Sequence, residues 1–481
     1  MEKEVKSLKQ VKAAIIGGGV SGSTAAVHLS ELGISVALLE KGDSLVNGPP
    51  ICHLHAGGNL YREISSKQCL ELLEQSITTV RLFPHTVNRR PTVIATPMAD
   101  SGDPEQVLNR LDDIKHCYEA LIAQDGRNEV LGKPCNYFKS YTKSDLLHLQ
   151  SRAQPSSPES FDDWIIPFAQ HANLDSLKYP VIAVQEYGWS VFRLAASAAL
   201  ILDKVATCEV MTNSALIRAQ YDELGWLLTY QDSHGEPQQI RAEYLINACG
   251  YQTGSVDDEA DYSRDRMVEF KAAYLTKWDS CNQEWPEVIF HGPRGTPQGM
   301  AQLTPYANGV FQLHGMTEDI TLFKDGLVSS TRSSAQPVLP SRLLGKISSG
   351  WPDEVMSERT SKAIHHMGQF IPSFDNAKMV AKPLFGAQQI PGNDATLRST
   401  DVSFESQNYA RIEVVKGSSA LEAAKKLVSH WQLSLPNNDS IEEQHPVSLS
   451  LDYQQVEEKA RQLADERAYP QELALRTGSV Q

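Results

Sequence analysis

Residues 13–22 read Ala-Ala-Ile-Ile-Gly-Gly-Gly-Val-Ser-Gly, an apolar run followed at once by closely spaced glycines. The run Ala13 to Ile16 is typical of a parallel strand that is covered on both faces. A small-residue helix is predicted from about Ser21 to Leu32, and Ile34 to Leu39 is predicted to form a second strand. The chain therefore opens with a βαβ unit.

The glycines of this unit have the G-x-G-x-x-G spacing in the context that it requires, between a strand and a helix. Gly17 allows the tight turn, Gly19 lets the backbone approach a pyrophosphate, and Gly22 lets the helix pack closely on the strand. The phosphates then lie at the positive helix N-terminus. Glu40 ends the second strand, 23 residues after Gly17, where its carboxylate can accept hydrogen bonds from a ribose. Together these features predict an adenine dinucleotide site.

The composition excludes several other classes of protein. The 481 residues include 44 Lys plus Arg and 59 Asp plus Glu, a net charge of −15, with 41% hydrophobic and 21% charged residues. This is an ordinary globular composition, and the acidic balance gives no electrostatic reason to bind nucleic acid. The seven cysteines form no Cys-x-x-Cys pair, which favours free thiols in a reducing compartment over disulfides or a zinc site. We expect no metal site and a cytoplasmic protein without a transmembrane segment, with peripheral membrane contact left open.

The rest of the chain alternates between two patterns. Helices are predicted from Ser65 to Pro84 and from Trp189 to Lys204, and a strand from Tyr244 to Ala248. Short apolar runs between about 266 and 325 indicate an antiparallel meander. The predicted architecture is α/β (α+β overall): a nucleotide-binding half that is assembled from separated segments and interleaved with an antiparallel half. The charged stretch Glu457 to Arg467 is predicted to be a solvated helix face.

A second candidate cofactor element lies near the C-terminus. Lys416-Gly417-Ser418-Ser419 precedes a predicted helix from Ala420 to about Trp431, and Ser419 and Glu422 have capping-box spacing. A helix start beside glycine can donate backbone N–H groups to the negative charge that a reduced flavin develops near N1 and O2. Because the G-x-G-x-x-G motif precedes any substrate domain, a tightly held FAD is favoured.

The segments from Ala13 to Lys41, His55 to Gly58, Ile246 to Gly250 and Gly417 to Ser419 follow one another in the chain order of a known family. The sequence resembles the D-amino-acid oxidase-like (DAO) family of FAD-dependent oxidoreductases, and it is nearest to the members that resemble 2-hydroxyglutarate dehydrogenase and dimethylglycine dehydrogenase. The resemblance implies a Rossmann-like FAD-binding domain built from separated segments and a substrate domain with an antiparallel sheet. We accordingly expect residues 10–64, 181–262 and 380–432 to form the FAD-binding domain, residues 65–180 and 263–379 the substrate domain, and residues 433–481 a C-terminal extension.

The resemblance also implies which residues surround FAD. Those expected at the cofactor are Gly17, Gly19, Val20, Ser21, Gly22, Glu40, Lys41, His55, Ala56, Gly57, Leu216, Ala248, Gly250, Gly417, Ser418 and Ser419. The segment around His55 should run under the flavin ring, and in some similar members a histidine at this place carries the flavin covalently. His55 is expected beside the ring without a covalent bond, and covalent attachment and a purely structural histidine stay open.

Substrate residues are inferred from the chemistry of flavin oxidation. An acid substrate needs a cation for its carboxylate, and an alcohol also needs a base for its hydroxyl proton. We expect Arg294 to hold the carboxylate and His314 to act as the base. Rival candidates are Arg62, Lys271, Tyr274, His291, Tyr306 and Arg398.

The leading hypothesis is an FAD-dependent dehydrogenase or oxidase that acts on the C–N or C–O bond of a small amino acid, amine or 2-hydroxy acid. Its electrons are expected to pass to a quinone or a carrier protein, with oxygen as the other acceptor. An NAD(P)H-dependent flavin monooxygenase is an alternative, although only one dinucleotide fingerprint is present. A flavin-binding protein without catalysis is the third reading.

Overall fold

The computed structural model describes residues 8–48, 54, 62, 64–400, 402–433 and 440–478. The strands of these residues are, in chain order, β1 (Lys9–Ile16), β2 (Val36–Leu39), β3 (Val87–Asn88), β4 (Thr92–Pro97), β5 (Phe138–Tyr141), β6 (Leu177–Val184), β7 (Gly188–Trp189), β8 (Cys208–Met211), β9 (Ala215–Asp222), β10 (Gly225–Gln231), β11 (Pro237–Asn247), β12 (Arg266–Lys277), β13 (Glu287–Phe290), β14 (Ala301–Pro305), β15 (Val310–Gly315), β16 (Leu327–Ser329), β17 (Lys378–Met379), β18 (Leu384–Pro391), β19 (Val402–Glu405) and β20 (Tyr409–Ile412).

The helices of the same residues follow in chain order. They are α1 (Val20–Glu31), α2 (Ser66–Leu82), α3 (Pro104–Gln124), α4 (Lys143–Gln150), α5 (Phe161–His171), α6 (Val191–Lys204), α7 (Thr253–Glu259), α8 (Ser341–Ser349), α9 (Asp353–Gly368), α10 (Ala420–His430), α11 (Ile441–Gln444), α12 (Pro446–Leu449) and α13 (Tyr453–Glu466).

The first sheet contains the opening βαβ unit. Its strand order is β19-β20-β11-β1-β2-β8, with the hairpin β9–β10 paired to β11. The strands β20, β11, β1, β2 and β8 run parallel to one another, whereas β19 and β10 pair antiparallel with β20 and β11. Ala13 to Ile16 are buried, as the continuous apolar run requires of a central parallel strand. This sheet confirms a Rossmann-like half made from segments that lie far apart in the sequence.

The second sheet has the order β16-β12-β15-β14-β13-β4-β6-β5, and β17 and β18 also pair with β12. Most of its ladders are antiparallel, but β13 pairs with β4 in parallel. The predicted antiparallel meander is confirmed for β13, β14 and β15. β12 is not part of it, because β12 pairs with β15 and not with β13. The mixed α/β class with an antiparallel half is confirmed.

Two strands depart from the segments expected from the sequence. β18 lies inside the segment 380–432 that we expected in the FAD-binding domain, yet it pairs with β12 of the second sheet along its whole length. β6 likewise crosses the expected boundary at residue 181 and belongs to the second sheet. The sequence did not reveal these pairings, because the partner strands β12 and β4 lie far away in the chain. The domain boundaries themselves stay a prediction.

The two faces of β12 bury different surroundings. Ala272 and Tyr274 pack in a cluster with Leu313 of β15, on the face that α5 and α9 cover. Ala273 and Leu275 belong instead to the cluster that contains Ile15 of β1. Since side chains alternate along a strand, the odd-numbered residues of β12 face the first sheet. We call this surface the inner face of the second sheet.

The C-terminal part of the chain packs on the helices α1, α2 and α6. Val456, Ala460 and Leu463 of α13 are buried in the same cluster as the apolar residues of α6. Arg467 donates to the backbone oxygens of Leu45 (2.7 Å) and Val46 (2.9 Å), directly after β2. The helix predicted as a solvated face thus carries a buried apolar stripe, which its alternating charges conceal in the sequence.

Candidate functional site

The glycines of the first loop differ in what surrounds them. Gly17 has φ +97°, and a Cβ at that position would lie 2.6 Å from the Ala248 backbone oxygen. A Cβ on Gly22 would lie 1.8 Å from the backbone oxygen of Gly17. A Cβ on Gly19, by contrast, would meet nothing within 4 Å. Packing therefore requires Gly17 and Gly22, while Gly19 faces open space at the N-terminus of α1.

This open space fits a pyrophosphate. Gly19 is the N-cap of α1, and no side chain among the described residues caps the helix there. The first turn, which starts with Val20 and Ser21, contains no acidic residue. Its backbone N–H groups and the helix dipole thus suit a phosphate, which is the group that the sequence predicted.

The carboxylate of Glu40 lies against the same loop. It accepts hydrogen bonds from the backbone N–H of Gly18 (2.6 Å) and of Gly42 (2.7 Å). The backbone of Glu40 is also held by β8 and the residues after it. Its N–H donates to the backbone oxygen of Met211 (2.8 Å), and its backbone oxygen accepts from the N–H of Ser214 (2.8 Å). Leu216 is half-buried at the start of β9, two residues after Ser214. Glu40, the predicted ribose-binding residue, and Leu216, another residue expected at the cofactor, therefore lie near each other.

The end of β11 completes this edge of the first sheet. The Ala248 backbone N–H donates to Ile16 (2.8 Å), so the residues after β11 lie beside the glycine loop. A Cβ on Gly250 would meet nothing within 4 Å. Lys41 contacts the side chain of Gln252. Ala248, Gly250 and Lys41 thus gather at the carboxyl ends of parallel strands, where nucleotides bind in such sheets.

The turn Gly417–Ser419 brings the other end of the chain to this place. A Cβ on Gly417 would lie 2.5 Å from the Trp189 ring and 3.4 Å from Val20 at the start of α1. The turn runs directly into α10, so two helix N-termini lie close together. That these two helix starts bind the two halves of FAD stays a prediction.

The predicted capping box at the start of α10 is wrong. The Ser419 side chain makes no cap hydrogen bond to its own helix. Its hydroxyl donates instead to Gln75 of α2 (2.5 Å), and Thr79 donates to the Ser418 backbone oxygen (2.9 Å). Tertiary contact with α2 has replaced the local cap, which the sequence spacing could not reveal.

Three predicted cofactor residues, His55, Ala56 and Gly57, lie outside the described residues.

The candidate substrate residues lie on the second sheet. His314 pairs with Gln302 across the β14–β15 ladder and alternates with the outward-facing Leu313, so it lies on the inner face. Arg294 contacts Glu269 of β12, and its Nη1 lies 3.9 Å from the Met316 sulfur. The expected base and carboxylate-binding residue are thus on or beside the inner face, but Arg294 already has an internal carboxylate partner.

Four of the rival candidates for substrate binding lie on the outer face or already have a partner within the protein. Tyr274 is excluded, because it lies on the outer face and donates to the Ile320 backbone oxygen (2.8 Å). His291 is buried near Thr96, and burial lowers its pKa to about 3. Tyr306 donates to Gln312 (3.1 Å), and Arg62 is paired with Asp100.

Lys271 has the most informative position among the rivals. Its Nζ lies 2.8 Å from Glu269 Oε2 and donates to Gln388 Oε1 (2.9 Å). Burial lowers the pKa of Lys271 to about 8, against the opposing charge of Glu269. Burial alone would raise the pKa of Glu269, but the neighbouring cations outweigh it and hold that pKa below its usual value.

Gln388 joins this group to the cofactor side. Its Nε2 donates to the Val415 backbone oxygen (2.8 Å), two residues before Gly417. A single amide thus connects Lys271 on the inner face with the turn that begins α10. Glu269 and Gln388 were missed from the sequence, although the charge alternation Glu269–Lys271 along a strand indicates a polar face.

Comparisons with known proteins agree with this geometry. Residues 12–95 match the family model described as FAD dependent oxidoreductase, DAO. The match begins one residue before the apolar run of β1 and spans the glycine loop and Glu40. The first part of the chain is thus similar to the DAO family of FAD-dependent oxidoreductases, and the cofactor is FAD.

One curated protein that this chain resembles is the anaerobic glycerol-3-phosphate dehydrogenase subunit A1 of Haloferax volcanii. The two are 24% identical over 266 residues, which is 52% of this chain and 38% of the relative. The chain thus matches well under half of that relative's length.

Solved structures share the fold of this chain over nearly its whole length. Glycine oxidase from Geobacillus kaustophilus has a TM-score of 0.56 and 12% identity, covering 90% of this chain and 97% of the other. L-Amino acid deaminase from Proteus vulgaris has a TM-score of 0.57 and 13% identity, with coverage of 94% and 99%. Identities this low show a common fold only.

Two features are absent from the described residues. No helix in these ranges is long and apolar enough to cross a membrane. No group of three or more His, Cys, Asp or Glu in the same ranges could hold a metal ion.

Proposed function

We propose that this chain is an FAD-dependent dehydrogenase or oxidase that oxidises the C–N or C–O bond of a small amino acid, amine or 2-hydroxy acid. The observation that carries the proposal is the Gln388 bridge. It connects a buried, charged group on the inner face to the turn that precedes α10, and this turn lies against the start of α1. This bridge supports a substrate site on the inner face beside the turn that we propose to bind the flavin.

The chain's own residues divide into those for the cofactor and those for the substrate. Gly19 would leave room for the pyrophosphate of FAD, Glu40 would accept a hydrogen bond from its ribose, and the N–H groups at Gly417 would serve its flavin end. FAD, when bound, supplies the N5 atom that accepts a hydride from the substrate carbon. Lys271 and Arg294 would orient an acid group, and His314 would take the hydroxyl proton of an alcohol substrate. An amine that arrives neutral needs no such base.

An absorbance spectrum of the purified protein, taken before and after acid precipitation, tests the cofactor. A flavin spectrum with a yellow supernatant supports non-covalent FAD, and a yellow pellet supports covalent attachment and makes His55 the first residue to mutate. A colourless protein that also takes up no added FAD would overturn the proposal.

Anaerobic addition of candidate amino and hydroxy acids then tests the reaction. Bleaching of the flavin by an acid without NAD(P)H supports the proposed oxidation. Reduction by NADPH alone would support a monooxygenase-type enzyme instead, and a flavin that no substrate bleaches would support a binding protein without catalysis.

The electron acceptor in this proposal is a quinone or a carrier protein. Mixing the reduced protein with air-saturated buffer and, separately, with a quinone analogue tests this part. Reoxidation that is faster with the quinone supports a dehydrogenase. Reoxidation that is equally rapid with oxygen would assign the enzyme to the oxidases.

A further inference from the structure

A cavity lies beyond the candidate site, at the C-terminal end of β12. Its volume is about 460 Å³, and its walls come from the end of β12, the loop between β12 and β13, the turn between β14 and β15, and Thr477. Lys277 in this wall follows Lys271 by six residues on β12, a separation of about 20 Å. The cavity is therefore separate from the inner-face residues that we propose for the substrate.

Two tryptophans in the wall differ in their hydrogen bonds. Trp285 Nε1 donates to the Cys281 sulfur (2.9 Å). Trp278 exposes only 1% of its surface, and its Nε1 has no acceptor within the described ranges. Because a buried N–H without an acceptor is destabilising, a ligand that brings an acceptor atom to Trp278 gains affinity.

Arg90 provides a second donor in the same wall. It is buried, and its Nη1 lies 2.7 Å from Glu287 Oε2. Its Nε, by contrast, has no hydrogen-bond acceptor in the part of the chain that the structure describes. The wall thus holds two buried N–H groups on different side chains, and a ligand with two carbonyl oxygens matches them.

Aromatic rings form much of the rest of the wall. The ring centroids of Trp278 and Trp285 lie 5.6 Å apart, and those of Trp285 and Phe311 lie 6.3 Å apart. Tyr306 also lines the cavity, and its hydroxyl donates to Gln312 (3.1 Å). Flat rings pack favourably against such side chains, so the wall suits a planar ligand with an apolar ring.

The charges of the wall argue against an anionic ligand. Its cations Arg90 and Lys277 are matched by the carboxylates Asp279 and Glu284, and Arg90 already has Glu287 as a partner. Without an excess of positive charge, an anion would lose its hydration and gain no compensating partner. A neutral ligand is therefore favoured.

Packed residues join this wall to the turn that we propose to bind the flavin. A Cβ on Gly188 would lie 2.7 Å from Arg90 Nη2. The next residue, Trp189, has the ring that a Cβ on Gly417 would meet at 2.5 Å. This connection favours a ligand that exchanges electrons with the flavin over one that only regulates the protein.

We propose that the cavity binds a neutral quinone, which accepts the electrons of the reduced flavin. The quinone takes two electrons and two protons, one proton from flavin N5 and one from solvent, and leaves as the quinol while oxidised FAD is restored. This inference rests on the proposed function, because an acceptor is needed only if a substrate reduces FAD. It goes beyond that function by giving the acceptor a site with named residues.

Calorimetric titration of the oxidised, FAD-loaded protein tests the site without turnover. The ligands are 2,3-dimethyl-1,4-naphthoquinone, whose thiol-reactive ring positions are blocked, the hydrocarbon 2,3-dimethylnaphthalene, and 2-naphthoate as the anionic comparison. The quinone is expected to bind at least about tenfold more tightly than either comparison compound, because only the quinone combines a neutral ring with two acceptor oxygens.

Two matched variants locate the binding. Trp278→Phe keeps an aromatic ring and removes the N–H, so it should weaken quinone binding by about tenfold and leave hydrocarbon binding nearly unchanged. In Trp285→Phe the lost N–H is one that Cys281 already accepts. This control should affect the quinone and the hydrocarbon alike and keep the preference between them.

Reoxidation of the protein after reduction with one equivalent of dithionite tests the electron transfer. The rate should saturate with quinone concentration, and the half-saturating concentration should rise about tenfold in Trp278→Phe. Ferricyanide is a highly charged acceptor that the neutral cavity does not suit, so its rate of reoxidation should be the same in Trp278→Phe and wild type.

Equal binding of quinone and hydrocarbon, no binding of the quinone, or tighter binding of 2-naphthoate, by a wild-type protein with a normal flavin spectrum, would overturn the inference and leave the proposed function standing. A quinone preference or a half-saturating concentration that Trp278→Phe leaves unchanged would also overturn it. A protein that takes up no FAD overturns the proposed function itself, and with it the role of the cavity as an acceptor site.

Discussion

Gly19 and Gly22 lie three residues apart in one loop, yet an added methyl group would meet very different surroundings at the two positions. At Gly22 it would collide with the Gly17 backbone, and at Gly19 it would enter the open space before α1. The two positions therefore separate the folding of the loop from its binding of phosphate.

Gly22→Ala should destabilise the apoprotein by about 3 kcal/mol, because the loop must move to relieve the overlap. Gly19→Ala should leave the melting temperature of the apoprotein unchanged and weaken FAD binding by about tenfold or more, because its methyl group occupies the pyrophosphate position. Thermal melts of both apoproteins and FAD titrations check the pair. Equal FAD affinity of Gly19→Ala and wild type would show that no phosphate binds there.

Glu40→Gln keeps the shape of the side chain and removes its charge. The charge-assisted hydrogen bonds from Gly18 and Gly42 weaken, so we expect a loss of stability of about 1 to 2 kcal/mol together with weaker FAD binding. Denaturant unfolding and FAD titration measure the two effects. Glu243→Gln is a suitable control, because Glu243 is half-exposed and pairs with Lys12 at the surface.

At this scale the sequence is informative where chemistry is local. Gly17, Gly22 and Glu40 could be predicted because their roles depend on neighbours in one βαβ unit. Glu269 and Gln388 could not, since their contact depends on the pairing of β12 with β18, which are more than 100 residues apart in the chain. The predicted helix cap by Ser419 was wrong for the same reason, because the Ser419 hydroxyl donates to Gln75, which is far away in the sequence.

The C-terminal end of helix α1, opposite the proposed phosphate-binding turn, carries a group of buried ionisable side chains. Glu31 accepts from the backbone N–H groups of Val447 (2.8 Å) and Ser448 (3.1 Å). His445 lies between Glu31 and His28, with ring nitrogens 3.0 Å from each partner. These groups tie the α11–α12 region to the helix that opens the first sheet.

This connection predicts loss of stability in acid. Burial, and then the charge of His445, hold the pKa of His28 well below its usual 6.5. The pKa of Glu31 is lowered because its hydrogen bonds to His445 and Ser448 outweigh the opposing effect of burial. Both groups are therefore favoured in their deprotonated forms by folding, so their contribution is present above the unfolded pKa and is lost as the pH falls.

His28→Gln should consequently reduce the fall in melting temperature between pH 7.5 and pH 5.5, even if it lowers stability at pH 7.5. His116→Gln is the control, because His116 is exposed on α3. Thermal melts of the three proteins across this range check the prediction. An unchanged slope in His28→Gln would assign the acid loss to the other buried histidines.

The C-terminal helix α13 acts on the cofactor region through Arg467. Its guanidinium holds the backbone oxygens of Leu45 and Val46, and the Val46 N–H donates to Gly18 (2.7 Å) in the glycine loop. Arg467→Met should therefore weaken FAD binding a few-fold without any contact to the cofactor. Arg461→Met, on the exposed side of the same helix, should leave the affinity unchanged, and FAD titration distinguishes the two.

At the scale of the whole molecule, FAD is expected to bind residues from both ends of the chain. The glycine loop belongs to its first 25 residues and the Gly417 turn to its last 70. At a free concentration of about 100 times its Kd, FAD should stabilise the folded protein by about 2.7 kcal/mol. FMN, which lacks the adenosine half that Glu40 and Gly19 are expected to hold, should raise the melting temperature much less.

The overall architecture could be predicted because the sheet halves have different sequence patterns. β1 is a continuous apolar run followed by the glycine loop, whereas β13 to β15 are short apolar runs separated by Gly, Pro and Asn. These two patterns could be distinguished in the sequence. The position of β12 beside β15, and of β18 beside β12, could not be predicted, because any apolar strand of similar length satisfies the pattern. Strand order follows from packing of the whole sheet and not from a local signal.

The interleaving of the first sheet also sets a delay during protein synthesis. Ile16 of β1 pairs with Asn247 of β11, which follows it by 231 residues. At about 5 to 20 residues per second, the ribosome finishes β11 about 10 to 50 s after β1. During that interval one apolar edge of β1 has no native neighbour on the nascent chain, so this edge stays open to non-native strand pairing until β11 emerges.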